Sequence, residues 1–440
     1  MRSVRSIALG ILIRVERDGA HAAPLLDAKG RDLPQNDRDL LRALVKRTIR
    51  GAIRLDHVLS RHVDRPVEEL DVSVRNALRL GAAQLLLLDR IPSHAAVDET
   101  VDALKEIAPR AAGLANAVLR RVAKGEARPG VVLLAETESP VRRLALETSH
   151  PEWLVGRWVK RFGLDAARAA LLADDEDSPV DLLMDPRAGD SETVAAQLAA
   201  EGIETVASPW APLARTVTQG NPLSHPLVSS GVLAVVDAAA QGVVELVARA
   251  PIVVDLAAAP GGKTRTLLAR GIARRVVAVE RHATRISRMA ANLAAAGRRG
   301  EALLVLADGE RAPLPAGRFP SVLLDAPCSG TGTLRKNPEI RLRLKPADPA
   351  GFAVRQRALL VAAADLLLPG GVVTYVTCSL EREENEDVVA EVLAGRADLE
   401  RVGAESAPEA LLAHALADGS FRILPGRSND GFTVTRLRRR

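Results

Sequence analysis

Residues 253–264 read VVDLAAAPGGKT. An apolar run closes on Asp255, a turn of small residues with two glycines follows, and Lys263 and Thr264 come next. A strand that runs through a glycine turn into a helix is the opening unit of a doubly wound α/β sheet. The same letters approach a phosphate-binding loop, G-x-x-x-x-G-K-[ST], whose backbone N–H groups cradle phosphates. Gly262, Lys263 and Thr264 fit that pattern, but Ala257 stands where its first glycine belongs.

Working outward, the chain alternates strand and helix from about residue 231 onward. PIVVDL is a buried strand, followed by the helix KTRTLLARG; RRVVAV is a second strand, followed by ATRISRMAANLAAAG. EALLVLA, PSVLLD and GVVTYVT are further strands, the last preceded by the helix VRQRALLVAAADLL. This pattern predicts a Rossmann-like parallel sheet. The C-terminal GSFRILPGRSNDGFTVTRLRRR reads as two strands around an Asn-Asp-Gly turn, an antiparallel hairpin at the sheet edge.

Toward the N-terminus the texture is helical, and residues 1–125 predict an all-α bundle. In NDRDLLRALVKRTIRG, Leu40, Leu41, Leu44, Val45 and Ile49 fall on one face; Asn36 and Asp37 are candidate caps, and Gly51 is expected to end the helix. DVSVRNALRLGAAQLLLLDR is more apolar and is expected at the centre, and Ser93 is expected to cap the helix that follows Pro92. KGEARPG (124–130) marks a domain edge, and HPEWLVGRWVKRFG (150–163) predicts a short amphipathic helix with Trp153 and Trp158 packed on it. PVDLLMD and SETVAAQLAAEG predict a small α/β segment. Three domains are therefore expected: 1–130, helical; 131–230, a linker and small α/β domain; and 231–440, a catalytic α/β domain.

Residues 1–130 carry 23 Lys+Arg against 17 Asp+Glu, while the whole chain of 440 residues has a net charge of +5. The helical part is thus basic beside a nearly neutral remainder, which suits an anionic partner such as nucleic acid. Aromatic residues make up only 2% of the chain, so base stacking on aromatic platforms is not expected to dominate. No apolar run reaches the ~18–20 residues of a membrane span. The N-terminal MRSVRSIALGILIRVERDG is interrupted by Arg14, Glu16 and Arg17, so it reads as an amphipathic helix, not a signal peptide. A cytoplasmic monomer without a membrane partner is expected. The two cysteines, Cys328 and Cys378, form no CxxC metal pair, and no metal is expected.

Ligands of such sheets lie beyond the carboxyl ends of the strands. Polar residues gather there: Asp255 and the turn 257–263, Glu280, Asp308, Asp325 and the two cysteines. Glu280 stands where a carboxylate accepts hydrogen bonds from ribose hydroxyls, although a solvated strand-end carboxylate has the same look. Asp308 is placed to read an adenine amino group. This ring of carboxylates would repel a triphosphate and suits S-adenosyl-L-methionine, with its ribose, adenine and cationic sulfonium. LDAPCSG and YVTCSLE put both thiols in polar turns at strand ends. A thiolate beside a methyl donor suggests addition of sulfur to C6 of a pyrimidine, methylation at C5, loss of the C5 proton and release of the sulfur. Chemistry alone does not rank the two thiols.

DLAAAPGGKT, LDAPCSGTGTLRKNPEIRLR and VTYVTCSLEREENEDVV resemble the signature segments of RNA 5-methylcytosine methyltransferases. RLGAAQLLLLDRIPSHAAVDETVDALK and GLANAVLRRV resemble the NusB-like RNA-binding domain. Together they resemble the ribosomal RNA small-subunit methyltransferase B family over nearly the whole chain. The resemblance implies a methyl donor held by Ala257, Ala258, Ala259, Pro260, Gly261, Gly262, Lys263, Glu280, Asp308 and Asp325. It implies Cys378 as nucleophile and Cys328 as the thiol that assists product release. DNA cytosine methyltransferases use the Pro-Cys thiol instead, so this ranking rests on the resemblance. Asp325 is placed to protonate or hydrogen-bond the pyrimidine N3 edge. The implied substrate is a cytosine of small-subunit (16S) ribosomal RNA, turned out of its fold to reach the pocket. The basic helical domain would supply phosphate contacts, or serve only as a scaffold.

Three departures stand out. Ala257 replaces a usual Cys or Ser and is expected to be tolerated, because backbone does the binding. Asp185 in LLMDPRA argues against an RNA contact there, and DGFTVT changes the packing expected around Thr433. Two rival readings remain at this level. One is a nucleotide hydrolase, on GGKT and SVLLDAP; the other is a non-catalytic RNA-binding or antitermination factor, on the helical domain.

Overall fold

The computed structural model describes residues 3–125, 139–405 and 407–440, so most of the expected edge at 124–130 and the residues up to 138 lie outside the described residues. The chain forms two compact units. The first runs to Asp175 and takes in Leu334–Pro346; the second comprises Glu176–Thr333 and Ala347–Arg440. The stretch expected to form one part, 131–230, is therefore divided between them.

The first unit is helical among its described residues. Its longest helix spans Gln35–Leu59 and buries Leu41, Leu44, Val45, Ile49, Leu55, Val58 and Leu59. Gly51 does not end it. A Cβ at residue 51 would lie 2.6 Å from Leu87 Cδ1, so glycine serves close packing inside the helix. That gain outweighs the ~1 kcal/mol helix penalty of glycine. The expected caps are also displaced. The helix begins behind Pro34, with Asn36 and Asp37 inside its first turn, where Asp37 still favours the helix dipole. Ser93 is the first helical residue behind Pro92 rather than a cap. Helix Val72–Leu86 is central as expected, capped by Asp71 and buried along most of its length. Helices Pro140–Thr148, Glu152–Phe162 and Leu164–Ala173 complete the unit. Trp158 is fully buried, and Trp153 lies under the Arg157 guanidinium at 5.2 Å.

The stretch 334–346, which sequence reading attached to the Cys328 motif, packs within this helical unit. Arg341 is buried there, and its guanidinium donates to the carbonyls of Arg50, Ser149 and Asp174, each at 3.3 Å. Burial lowers its pKa to about 10.

The second unit holds two sheets. Four short strands, β1 (Asp181–Leu183), β2 (Glu204–Ala207), β3 (Ala214–Gln219) and β4 (Ala234–Val235), form an antiparallel sheet in the order β2-β3-β1-β4. Helix Ser191–Ala200 joins β1 to β2 and begins at Asp190, whose carboxylate accepts the Glu192 and Thr193 N–H groups. Asp185 is buried, and both of its oxygens accept from Arg298, at 2.7 and 2.8 Å. Burial alone would raise its pKa, but the Arg298 bonds win and hold it below the usual carboxylate range. Its acidity is thus structural.

The large sheet comprises β5 (Ala250–Leu256), β6 (Ala273–Glu280), β7 (Ala302–Leu306), β8 (Phe319–Asp325), β9 (Leu367–Thr377), β10 (Leu399–Arg401), β11 (Phe421–Ile423) and β12 (Phe432–Arg439). Its order is β10-β12-β9-β8-β5-β6-β7, with β11 beside one end of β12. The five strands from β9 to β7 are parallel. Val253 packs on one face of β5 and Val254 on the other, as do Leu323 and Leu324 on β8. Burial on both faces explains the continuous apolar runs. The C-terminal hairpin forms, but β12 is not an edge strand. It pairs antiparallel with β9 along Thr433–Arg438 and with β10 on its other side. Gly431 of the Asn-Asp-Gly turn lies against Gly332, where a Cβ on Gly332 would meet the Gly431 carbonyl oxygen at 2.4 Å.

Candidate active site

Five parallel strand ends make a rim in the order β7, β6, β5, β8, β9. Glu280 is the last residue of β6 and Asp325 the last of β8; Asp308 follows β7, and Cys378 directly follows β9. Adjacent strands lie ~4.8 Å apart, so residues scattered over 120 positions of sequence become neighbours. The alternation of strand and helix brings every expected site residue to this rim.

The loop after β5 carries a tight backbone. Ala257 has φ +143°, a conformation that L-residues rarely adopt, and the Ala259–Pro260 peptide is cis. Ala257 is therefore not an ordinary small residue in the turn; backbone strain of this kind costs about 1–3 kcal/mol and gathers at ligand sites. The Ala258 N–H donates to the Val279 carbonyl at 2.9 Å, which ties the loop to β6. Gly261 (φ +98°) precedes helix Gly262–Ala269. Beneath the loop, buried Asp255 accepts the Thr264 hydroxyl at 2.5 Å, and burial pushes its carboxyl up to about 7.

Lys263 turns toward the centre of the rim. Its Nζ donates to Asp325 Oδ2 at 2.7 Å and lies 5.4 Å from the Phe432 ring centre. Burial opposes its charge, but the Asp325 carboxylate outweighs that and raises the ammonium above its ordinary pKa.

At the β6 end, Glu280 is buried and accepts the His282 N–H at 2.9 Å. Arg285, which sequence reading did not single out, lies 3.6 Å from its other oxygen and donates to the Ala259 carbonyl at 2.5 Å. Asp308 is half exposed, and both oxygens accept from Arg355 at 3.1 and 3.2 Å.

At the other end, Cys328 Sγ and Cys378 Sγ are 3.1 Å apart, and both thiols are free. The Cys328 thiol is pushed well above the usual range, first by its contact with Cys378, then by burial and by the charges of Cys378, Glu384 and Asp325. Around the pair lies a buried polar network that sequence reading missed. Glu384 Oε1 accepts the Ser329 N–H at 2.8 Å and Gln356 Nε2 at 3.0 Å; Oε2 accepts the Ser379 hydroxyl at 2.5 Å and the Ser329 hydroxyl. The Tyr375 hydroxyl donates to the Glu384 carbonyl at 2.6 Å. Thr433 donates to the Ser379 carbonyl at 2.9 Å, so the departure at DGFTVT supplies a hydrogen bond to the loop that follows Cys378. Only the position of Glu384 five residues after Ser379 could have signalled it, and an acidic run such as EREENED usually reads as solvated surface.

Comparisons with known proteins identify the family and the fold. Residues 247–438 match the model of 16S rRNA methyltransferase RsmB/F, residues 2–124 the NusB family, and residues 150–224 the ferredoxin-like domain of RsmF/B-like methyltransferases. The probable ribosomal RNA small subunit methyltransferase B of Bacillus subtilis is 31% identical over 100% of this chain and 99% of its own. Ribosomal RNA small subunit methyltransferase B of Pasteurella multocida is 30% identical over 99% of this chain and 96% of its own. Among solved structures, PH0851 superposes with a TM-score of 0.84 at 23% identity, covering 100% of this chain and 99% of that one, which shows the shared fold.

Proposed function

Because the chain belongs to the ribosomal RNA small subunit methyltransferase B family, we propose that it transfers a methyl group from S-adenosyl-L-methionine to C5 of a cytosine in 16S ribosomal RNA, through a covalent adduct between Cys378 and C6. The observation that carries this reading is the pair of thiols 3.1 Å apart at the ends of adjacent strands, beside Asp325 and Lys263. In functional terms, the helical domain of residues 1–130 binds RNA, 131–230 supply a linker and a small α/β domain, and 231–440 catalyse.

The donor set suits the methyl donor. Glu280, Asp308 and the 257–263 loop present carboxylates and backbone to a ribose, an adenine and a cationic sulfonium. They do not suit a triphosphate, because Lys263, which would have to meet the phosphates, is engaged by Asp325 at 2.7 Å. When bound, S-adenosyl-L-methionine supplies an electrophilic methyl group. The rest falls to the chain's own groups. Cys378 Sγ adds to C6 as its proton passes by way of Asp325, whose Oδ2 accepts from Lys263, to N3 of the base, and C5 becomes electron-rich. After C5 has gained the methyl group, a base takes the C5 proton, the C6–S bond breaks with its electron pair returning to the Cys378 sulfur, and Cys328 assists that release. The ranking of the two thiols follows the family's motifs, in which the cysteine of the VTCSLE segment is the nucleophile.

Methylation is tested by bisulfite sequencing of 16S ribosomal RNA from cells lacking the protein, where one cytosine is expected to lose its mark. With purified protein, Cys328→Ala is expected to accumulate an RNA–protein adduct, seen as a slow gel band. Accumulation in Cys378→Ala instead would reverse the two roles.

A further inference from the structure

Glu384 touches neither sulfur in the hydrogen-bond network, yet it binds the residue that follows each one. Ser329 follows Cys328 and donates both its N–H, at 2.8 Å, and its hydroxyl to this carboxylate; Ser379 follows Cys378 and donates its hydroxyl at 2.5 Å. The two loops come from different strands, and their residues are 50 positions apart. A single carboxylate, fully buried, thus spans both. It is itself held from two sides: Gln356 donates to Oε1 at 3.0 Å and to the Pro327 carbonyl at 2.8 Å, and Tyr375 binds its main-chain carbonyl. The next residue holds the Cys378 side alone: Asn385 accepts the Thr377 hydroxyl at 2.6 Å and donates to the Ser379 carbonyl at 3.1 Å, the residues on either side of Cys378.

We propose that Glu384 is a positioning residue that fixes the separation of the Cys328 and Cys378 sulfurs by clamping the residue after each. The proposal rests on the assignment of the two thiols to attack and release. Those steps need both sulfurs to reach one cytosine ring in turn, and a misplacement of ~1 Å costs on the order of 10²-fold in rate. Burial pushes the Glu384 carboxyl upward while the serine bonds lower it, so the group acts through its hydrogen bonds more than through a free charge. An amide can replace it: in Glu384→Gln the oxygen still accepts the Ser329 N–H, and the nitrogen donates to hydroxyls that turn to accept. An alanine cannot: it leaves the buried Ser329 N–H without its acceptor and the Ser329 and Ser379 hydroxyls with the 3.0 Å bond between them in place of the carboxylate.

The test has two arms on the full chain. The first measures thiol proximity alone, with dipyridyl disulfide as the oxidant. One thiol displaces a pyridinethiol from the reagent and the second thiol displaces the other. The two cysteines are oxidised to a disulfide, and the reagent is reduced to two pyridinethiols, counted by absorbance. The step that closes the Cys328–Cys378 bond is expected to slow about tenfold in Glu384→Ala and to stay within about threefold of wild type in Glu384→Gln. The second arm uses RNA carrying 5-fluorocytosine to trap the adduct. Glu384→Ala is expected to slow adduct formation at saturating S-adenosyl-L-methionine with the half-saturating donor concentration unchanged, and Glu384→Gln to restore it. Should Glu384→Ala fail to fold, Ser379→Ala cuts the same clamp at one end and is expected to move both readouts in the same direction by a smaller factor. Unchanged disulfide closure in folded Glu384→Ala or in Ser379→Ala overturns the clamp, as does a Glu384→Gln protein as slow as the alanine variant. Altered closure with no adduct in the wild type keeps the clamp and overturns the assignment of the thiols.

Discussion

At the thiol end of the rim, Cys328 and Cys378 stand in loops whose polar groups bond one another inside the protein: Glu384, Ser379 and Thr377 are all buried. At the carboxylate end, Asp308 and Glu280 are met by arginines that reach in from solvent, with Arg285 53% and Arg355 30% exposed. The Asp308–Arg355 pair, part exposed on both sides, contributes at most ~1 kcal/mol, whereas a satisfied buried network is rigid and costly to break. A covalent step needs atoms held to fractions of an ångström, and a donor that enters and leaves each cycle needs a wall that yields. The two ends of one sheet edge meet those opposite demands with different chemistry.

The comparison predicts a sharp gradient of effects. Cys378→Ala, at the rigid end, is expected to cut methyl incorporation from tritiated donor by roughly 10⁴-fold or more, because no other group replaces the sulfur. Residual activity within tenfold would break the covalent reading.

Asp255, beneath the loop between the two ends, should appear in stability. Its folded pKa of about 7 lies above its ordinary value of 3.8, so the folded state keeps a proton that the unfolded chain has lost. Stability is therefore expected to fall as pH rises from about 4 to 7. Asp255→Asn should remove that slope and add a few kcal/mol at pH 8, read from urea unfolding at pH 5 and pH 8. An unchanged slope would place the titration elsewhere.

At the yielding end, Glu280→Gln is expected to weaken S-adenosyl-L-methionine binding by roughly 10–100-fold, the scale of a hydrogen bond to a charged group, with little change in kcat. Asp308→Asn should cost about tenfold or less by the same calorimetry, since its carboxylate is half exposed. Equal losses at both positions would erase the distinction drawn within this end. The smallest effect is expected at Ala257. Its φ of +143° suits glycine, so Ala257→Gly should stabilise the fold by about 1 kcal/mol in thermal unfolding, with donor binding unchanged.

Much of the fold was legible because burial leaves regular marks. The strands β5, β6 and β8 are covered on both faces and carry the short apolar runs IVV, VVAV and VLL, and helix Gln35–Leu59 shows its buried face at helical spacing. The rim was legible for a related reason: a polar residue that closes an apolar run marks a strand end, and parallel strands bring those ends together. Where the reading failed, the deciding contact came from far along the chain. Gly51 reads as a stop in the sequence because its neighbour Leu87 lies 36 positions away. The C-terminal hairpin reads as an edge because nothing in its letters says that β10 covers the other side of β12.

The sequence by itself determined the class of each element, the order of strand and helix, and which residue types stand at the strand ends, because these follow from local periodicity and from where apolar runs stop. Only the tertiary structure decided that Asp185 is a buried partner of Arg298, that Lys263 serves Asp325, that Ala257 holds a glycine-like backbone, and that Glu384 spans two loops. Charged side chains look alike in a sequence whether water or an ion pair satisfies them. The difference in energy is large, but it depends on burial and on partners tens to hundreds of residues away, and those are set only when the chain closes on itself.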